Sequence, residues 1–320
     1  MFSIAGIDLL EQELLDHERT LLEILLQDKT TKKNIIWATD DYAELGEPYS
    51  FKKEILPELV TGEQDSLIQP RVEKALEHQT NRTRDKAEVF TPSWICNAQN
   101  NLVDEQWFGR KDVFNIQKEM SWKATADKIA FPDDRQRTWQ KYVDAQRLEI
   151  FCGEAPYLVS CYDTVTGETI PISQRIGLLD RKLRVVTENA SDESEWLKWA
   201  YRAYESVYGF EFQGDNLLLA RENLLYTFID YMRYALKRTP TLNELKKVAT
   251  IISWNLWQMD GLTYGPPLCD IQEEMNQLSL FDFIETETLI VQKPAQSRCK
   301  IKDWRSKVII EYYSLVKGER

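Results

Sequence analysis

The chain has 320 residues and sets 52 acidic against 40 basic side chains, a formal charge of −12 that opposes dense phosphate contact by the chain as a whole. Its two histidines, His17 and His78, leave no material for a histidine-rich metal centre or a Ser-His-Asp triad. No apolar run reaches the ~20 residues of a membrane span, no secretion signal opens the chain, and Cys96, Cys152, Cys161, Cys269 and Cys299 form no C-x-x-C pair, so a cytoplasmic protein with reduced thiols is expected.

Leu9, Leu10, Leu14, Leu15, Leu21, Leu22, Leu25 and Leu26 recur at helical spacing and predict one or two amphipathic helices over residues 6–28. Asn34–Trp37 is a short apolar run, either a strand or a buried turn. Residues 41–86 are mixed and charged, with a helix expected around Pro70 to Gln79, and 106–145 reads as packed helix and loop carrying Trp107, Trp122 and Trp139. From residue 147 the rhythm changes. Arg147–Phe151 reads as a strand with Cys152-Gly153 as its turn, Glu193–Ser206 as an amphipathic helix, Val207–Phe212 as a second strand and Asn216–Leu236 as a strong helix. Leu242–Lys247 looks helical, and Ala249–Trp257 is a third apolar run that leads to Met259-Asp260. Alternating strands and helices are the grammar of a doubly wound parallel sheet, so the fold class expected is α/β. Three parts follow: a helical N-terminal segment (1–85), a core (86–267) and a C-terminal extension (268–320). In the extension, 268–300 reads as irregular and mobile, and Cys299–Trp304 with Val308–Ile310 as a strand and partner-docking surface.

A nucleoside cofactor in such a fold lies across the carboxyl ends of the strands. A small residue after the first strand lets backbone approach it, which Cys152-Gly153 supplies. An acid ending the second strand accepts from ribose hydroxyls, and Glu211 is there; an acid ending the third accepts from an adenine amine, and Asp260 is there. Each feature alone is more often a solvated acid or an ordinary turn. Their order is what carries weight.

Four segments in that order resemble the S-adenosylmethionine (SAM)-dependent adenine-N6 DNA methyltransferases of restriction–modification systems, especially type I modification subunits and fused type II enzymes. Phe90-Thr91-Pro92 matches a family F-T-P segment that contacts the methionine part of SAM. Glu149, Cys152, Gly153, Tyr157 and Leu158 match or conservatively replace the D-P-A-C-G-S-G-x-F-L pattern of the first strand. Gly209 to Leu225 mirrors the acid-bearing second strand and its L-A-R-x-N-L helix, and Met259-Asp260-Gly261-Leu262 mirrors a G-D-x-L segment. The resemblance implies a Rossmann-like doubly wound core that binds SAM through Phe90, Thr91, Pro92, Glu149, Cys152, Gly153, Glu211, Phe212 and Asp260.

Two departures shape the expectation. Ala155-Pro156 stands where the family has its second glycine, and Pro156 removes a backbone donor. No N-P-P-Y segment follows to activate and stack the target adenine; Gly265-Pro266-Pro267-Leu268 has neither acceptor nor aromatic and reads as a loop. The core is therefore expected to be incomplete and without catalytic residues of its own. It would be the SAM-binding half or subunit of a DNA adenine methyltransferase in a restriction–modification or phage-defence system. DNA would be gripped through a partner carrying N-P-P-Y and target recognition. Two alternatives stay open: a non-catalytic interaction subunit that retains the fold, and a complete enzyme using Asn255 or Asp260 as the amine acceptor. Trp94, Trp107, Trp254 and Trp257 read as core or interface, and Arg82, Arg84, Lys86, Arg110 and Lys111 as a solvated basic face.

Overall fold

Helix α1 (Glu18–Leu26) buries Leu21, Leu22, Leu25 and Leu26, four apolar positions that a 3.6-residue period gathers on one face. It opens a computed structural model that describes residues 18–61, 67–73, 91–268 and 298–318. The Asn34–Trp37 run is a buried turn region with isolated bridges rather than a regular strand: Ile35 accepts from the Ile55 amide at 2.8 Å, and the Trp37 amide donates to Lys53 at 3.0 Å. Of the helix expected around Pro70–Gln79, a single 3-10 turn at Arg71–Glu73 falls within the described residues. The first part of the 6–28 helix, up to residue 17, lies outside them.

Helix α2 (Ser93–Phe108) is followed by a two-stranded antiparallel hairpin, β1 (Asn115–Gln117) and β2 (Trp122–Ala124), and by the short α3 (Trp139–Asp144). The hairpin corrects the expectation of helix and loop alone over 106–145. Strands this short carry too few alternating residues to stand out in the sequence.

Three parallel strands then form in the order β3-β4-β5: β3 (Arg147–Ile150), β4 (Val207–Glu211) and β5 (Leu256–Gln258). Leu148 is level with Tyr208, Ile150 with Phe210, and Phe210 with Trp257. Helices α4 (Leu178–Asn189) and α5 (Glu193–Glu205) connect β3 to β4, while α6 (Gly214–Leu236) and α7 (Leu242–Asn255) connect β4 to β5. The chain is thus mixed α/β, with eight α-helices and three small sheets among the described residues. Among those residues no fourth strand joins the parallel sheet.

Two boundaries differ from the sequence reading. Helix α7 is continuous, so it absorbs both Leu242–Lys247 and the first seven residues of the Ala249–Trp257 run, which leaves only Leu256–Gln258 as strand. Thr241 and Glu244 cap its start reciprocally. Asn255 ends it by donating to the Tyr204 and Val207 carbonyls, both at 2.9 Å. Helix α4 was not anticipated, because Arg181 and Lys182 are buried in it despite their charge. Arg181 pairs with Asp104 of α2 and donates to Asn97; Lys182 donates to the Ala145 carbonyl and the Ser206 hydroxyl.

One face of the parallel sheet packs on the main core, where Val207 and Leu256 join Leu217, Phe228, Val248 and Ile252. The N-terminal residues belong to this same core. Arg221 of α6, fully buried, donates to the carbonyls of Leu256 and of Leu25 and Gln27 at the end of α1. The opposite face is covered by the C-terminal hairpin β6 (Lys300–Asp303) and β7 (Val308–Glu311), followed by α8 (Tyr312–Lys317). Cys299 and Ile301 pack there on Tyr208, Phe210, Trp257 and Met259. The inner side of the strand expected to dock a partner is therefore used within the chain. The Lys300 amide donates to the Thr30 hydroxyl at 2.9 Å, which joins the last described segment to the first. The stretch expected to be mobile lies, from 269 to 297, outside the described residues.

Candidate functional site

The carboxyl ends of β3 and β4 open into a cleft of about 920 Å³. Thr91, Glu149, Cys152, Gly153, Glu211 and Phe212 all line it, although the sequence separates the first from the last by more than a hundred positions. Three segments converge because α2 begins directly after Thr91-Pro92 and lies along the cleft through Gln99, Asn100 and Val103. Pro92 itself occupies the N-cap position of α2, and Phe90 lies outside the described residues.

The turn after β3 is tight. Phe151, Gly153 and Ala155 have φ of +50°, +52° and +63°, the left-handed region. Glycine enters it freely; each of the other two pays ~1–2 kcal/mol, so the surroundings must hold the turn in place. They do so through the Cys152 amide on the Phe210 carbonyl (2.9 Å) and the Ala155 amide on the Cys152 carbonyl (2.7 Å). Ala155 is fully buried at the position where the resembled family has its second glycine. Gly209 of β4 leaves room for the Cys152 thiol: a Cβ there would stand 3.3 Å from its sulfur. Burial pushes the Cys152 thiol well above its ordinary pKa, and Glu149 and Glu211 reinforce this, so it is a packed thiol and no nucleophile.

Two carboxylates frame the cleft. Glu211 accepts the Gly153 amide on Oε2 at 2.9 Å, and the Phe212 and Gln213 amides on Oε1 at 2.9 and 3.2 Å. Glu149, 8% exposed, accepts the Tyr157 amide on Oε1 at 3.3 Å, while its buried Oε2 meets no hydrogen-bond partner among the described residues. Burial pushes the Glu149 carboxyl up to about 8, against the pull of the Tyr157 and Leu158 amides; the Glu211 charge adds to the rise. Phe212 lines the cleft, and its ring packs against Phe51, ring centres 6.3 Å apart.

Asp260 is not brought to the cleft wall. Its Oδ1 accepts the Leu262 amide at 2.8 Å and its carbonyl accepts the Tyr264 amide at 2.8 Å, so it closes its own turn. Gln258, level with Glu211 at the end of β5, has its amide engaged as well, donating to the Ile36 and Phe212 carbonyls and accepting from the Ile36 amide. Arg110 and Lys111 are exposed, Arg110 donating to the Ala130 carbonyl and Lys111 lying 3.9 Å from Glu105, and Arg82, Arg84 and Lys86 lie outside the described residues.

Sequence reasoning missed Asn100, Asn216 and Gln213 in the cleft wall. Asn100 donates to the carbonyls of Tyr157 and Ile176, both at 3.0 Å, and so fixes the far end of the turn. Its one legible signal is its place on the helix that follows Thr91-Pro92. Asn223 of the L-A-R-x-N-L helix likewise holds the Glu154 carbonyl and the Tyr162 hydroxyl, a supporting role behind the turn.

Among the described residues no group of three or more His, Cys, Asp or Glu could hold a metal ion, and no helix is long and apolar enough to cross a membrane. No protein-family model, curated protein or solved structure matches this chain.

Proposed function

We propose that the cleft binds SAM and that the chain is the SAM-binding half or subunit of a DNA adenine-N6 methyltransferase. The observation that supports this best is the convergence of Glu149 and Glu211, from neighbouring parallel strand ends, with Thr91 on one cleft. About 920 Å³ is within the range of small-molecule sites, ~300–1,000 Å³.

The chemistry of the lining suits the cofactor. SAM carries an ammonium and a sulfonium, and Glu149 Oε2, which has no hydrogen-bond partner among the described residues, accepts that charge when the carboxyl ionises. Glu211, its carboxylate held by three backbone amides, is the acceptor for ribose hydroxyls. Phe212 offers an apolar face to the adenine. When bound, the cofactor supplies an electrophilic methyl group. The chain's residues bind and orient it, and Gly153 allows the close backbone approach. The polar and aromatic groups that extrude and hold the target base come from a partner subunit that also grips DNA, consistent with a chain of charge −12.

A second reading, a non-catalytic interaction subunit of the same fold, draws on Pro156, which lines the cleft without an amide to donate. Titration calorimetry with SAM decides between them. Binding by the isolated chain, lost in Glu211→Gln, supports the first reading; no heat at millimolar SAM moves the assignment to the second.

A further inference from the structure

We propose that the outer edge of β3 is the docking site for a strand of a second, basic polypeptide, and that this strand completes the wall of the cleft. The identity of the complex rests on the function proposed above; the docking geometry does not.

Strand β3 is the edge of the sheet. The Arg147 amide donates to Ser206 beside β4, so the alternation along a strand turns the backbone groups of Leu148 and Ile150 outward. Among the described residues none hydrogen-bonds to them. Their side chains share the sheet face of Tyr208, Phe210 and Trp257. The C-terminal hairpin covers that face over β4 and β5, leaving those three aromatics 7%, 4% and 2% exposed, but stops one strand short. Leu148, Ile150 and Phe151 stay 43%, 60% and 60% exposed. Soluble proteins blunt such edges with lysine, proline or a bulge. This edge has none of them along Leu148–Phe151, and parallel sheets are normally buried on both faces.

The occupant follows from three facts. Unmade outward backbone groups call for a strand rather than a helix. Leu148, Ile150 and Phe151 also line the cleft, so whatever pairs there borders the ligand. Charge selects against a second copy, because two chains of −12 each repel one another. A basic chain is complementary to that net charge.

Hydrogen–deuterium exchange on the full chain, alone and mixed with a synthetic peptide of alternating lysine and valine as the basic strand, tests this. The expected result is fast exchange of the Leu148 and Ile150 amides alone and slow exchange in a one-to-one complex. A double variant, Leu148→Lys with Ile150→Lys, should bind that peptide at least about tenfold more weakly, its thermal midpoint staying near the parent's because both side chains are exposed. Slow exchange in the isolated monomer, protection that rises with self-association, or a mixture without protection at β3 each overturns the proposal. Calorimetry with SAM on the isolated chain runs independently: cofactor binding without edge protection removes the docking site alone, and edge protection without cofactor binding removes the cofactor alone.

Discussion

The Gly153 amide donates to the Glu211 carboxylate at 2.9 Å, across the ends of two neighbouring strands. The residue offered to a ribose thus also holds the turn on which a ligand would rest. Because Glu211 takes the Phe212 and Gln213 amides too, its removal cannot be neutral for the fold, as a purely ligand-binding acid's would be. Glu211→Ala should lower unfolding free energy by about 2 kcal/mol, read from urea titration, whereas Glu211→Gln should keep most of the stability and lose SAM affinity at least about tenfold. Equal stability of Glu211→Ala and the parent would remove the structural half of this assignment.

Glu149 makes stability depend on pH in a defined sense. An unfolded glutamate ionises near 4.5 and this one near 8, so between those values unfolding releases a proton. Stability contributed by the protonated form is complete below the lower value, falls as pH rises through the window and is flat above the upper one. Glu149→Gln should therefore match the parent at about pH 4.5 and exceed it at about pH 9 in denaturant midpoint. A constant difference between the two proteins across the range would show that Glu149 is ionised throughout.

The same carboxyl should report on the ligand. A cationic ligand beside Oε2 favours the ionised form, so SAM binding at neutral pH should release protons. Calorimetry in buffers of different ionisation enthalpy measures that release directly. Release that persists undiminished in Glu149→Gln would place its source elsewhere.

Gly214 starts α6 against the N-terminal segment, its amide on the Trp37 carbonyl at 2.9 Å. A Cβ there would stand 2.0 Å from the Ile36 carbonyl oxygen, a backbone atom with nowhere to go. Gly214→Ala should cost about 2–4 kcal/mol in equilibrium unfolding, far beyond the usual gain from alanine in a helix. A stability within about 0.5 kcal/mol of the parent would mean that residues 35–37 are not held here.

Arg221→Leu should be the most damaging change outside the cleft. The guanidinium satisfies carbonyls of Leu256, Leu25 and Gln27 in a site without solvent access, and leucine leaves all of them unpaired. About 3–5 kcal/mol is at stake, measurable as a shift of the urea midpoint at constant slope.

The parallel strands around Glu149 and Glu211 were legible because each is a short apolar run ended by a turn signal. The edge between α7 and β5 was not, since Ala249–Trp257 is a mainly apolar run without charge, glycine or proline, and a buried strand reads the same as the last turns of a buried helix. Helix α4 hid behind Arg181 and Lys182, whose charges read as surface but are matched inside by Asp104, Asn97 and backbone carbonyls. In the cleft, Thr91 and the residues at the two strand ends were found, whereas the uncharged amides Asn100 of α2 and Gln213 and Asn216 at the start of α6 were not, because no charge or motif marks them. Asp260 had the right position in the sequence, yet its carboxylate is closed on its own turn, a choice between solvent, ligand and local amide that sequence does not express.

The bond from Lys300 to Thr30 has a consequence for biosynthesis. The aromatic face of β4 and β5 stays bare until residues near the carboxyl terminus arrive to cover it. On a ribosome all three strands have been made once residue 258 is added, and Tyr208, Phe210 and Trp257 then stay uncovered until Cys299 and Ile301 follow, so a nascent chain halted in that interval exposes them to whatever chaperone is at the exit tunnel.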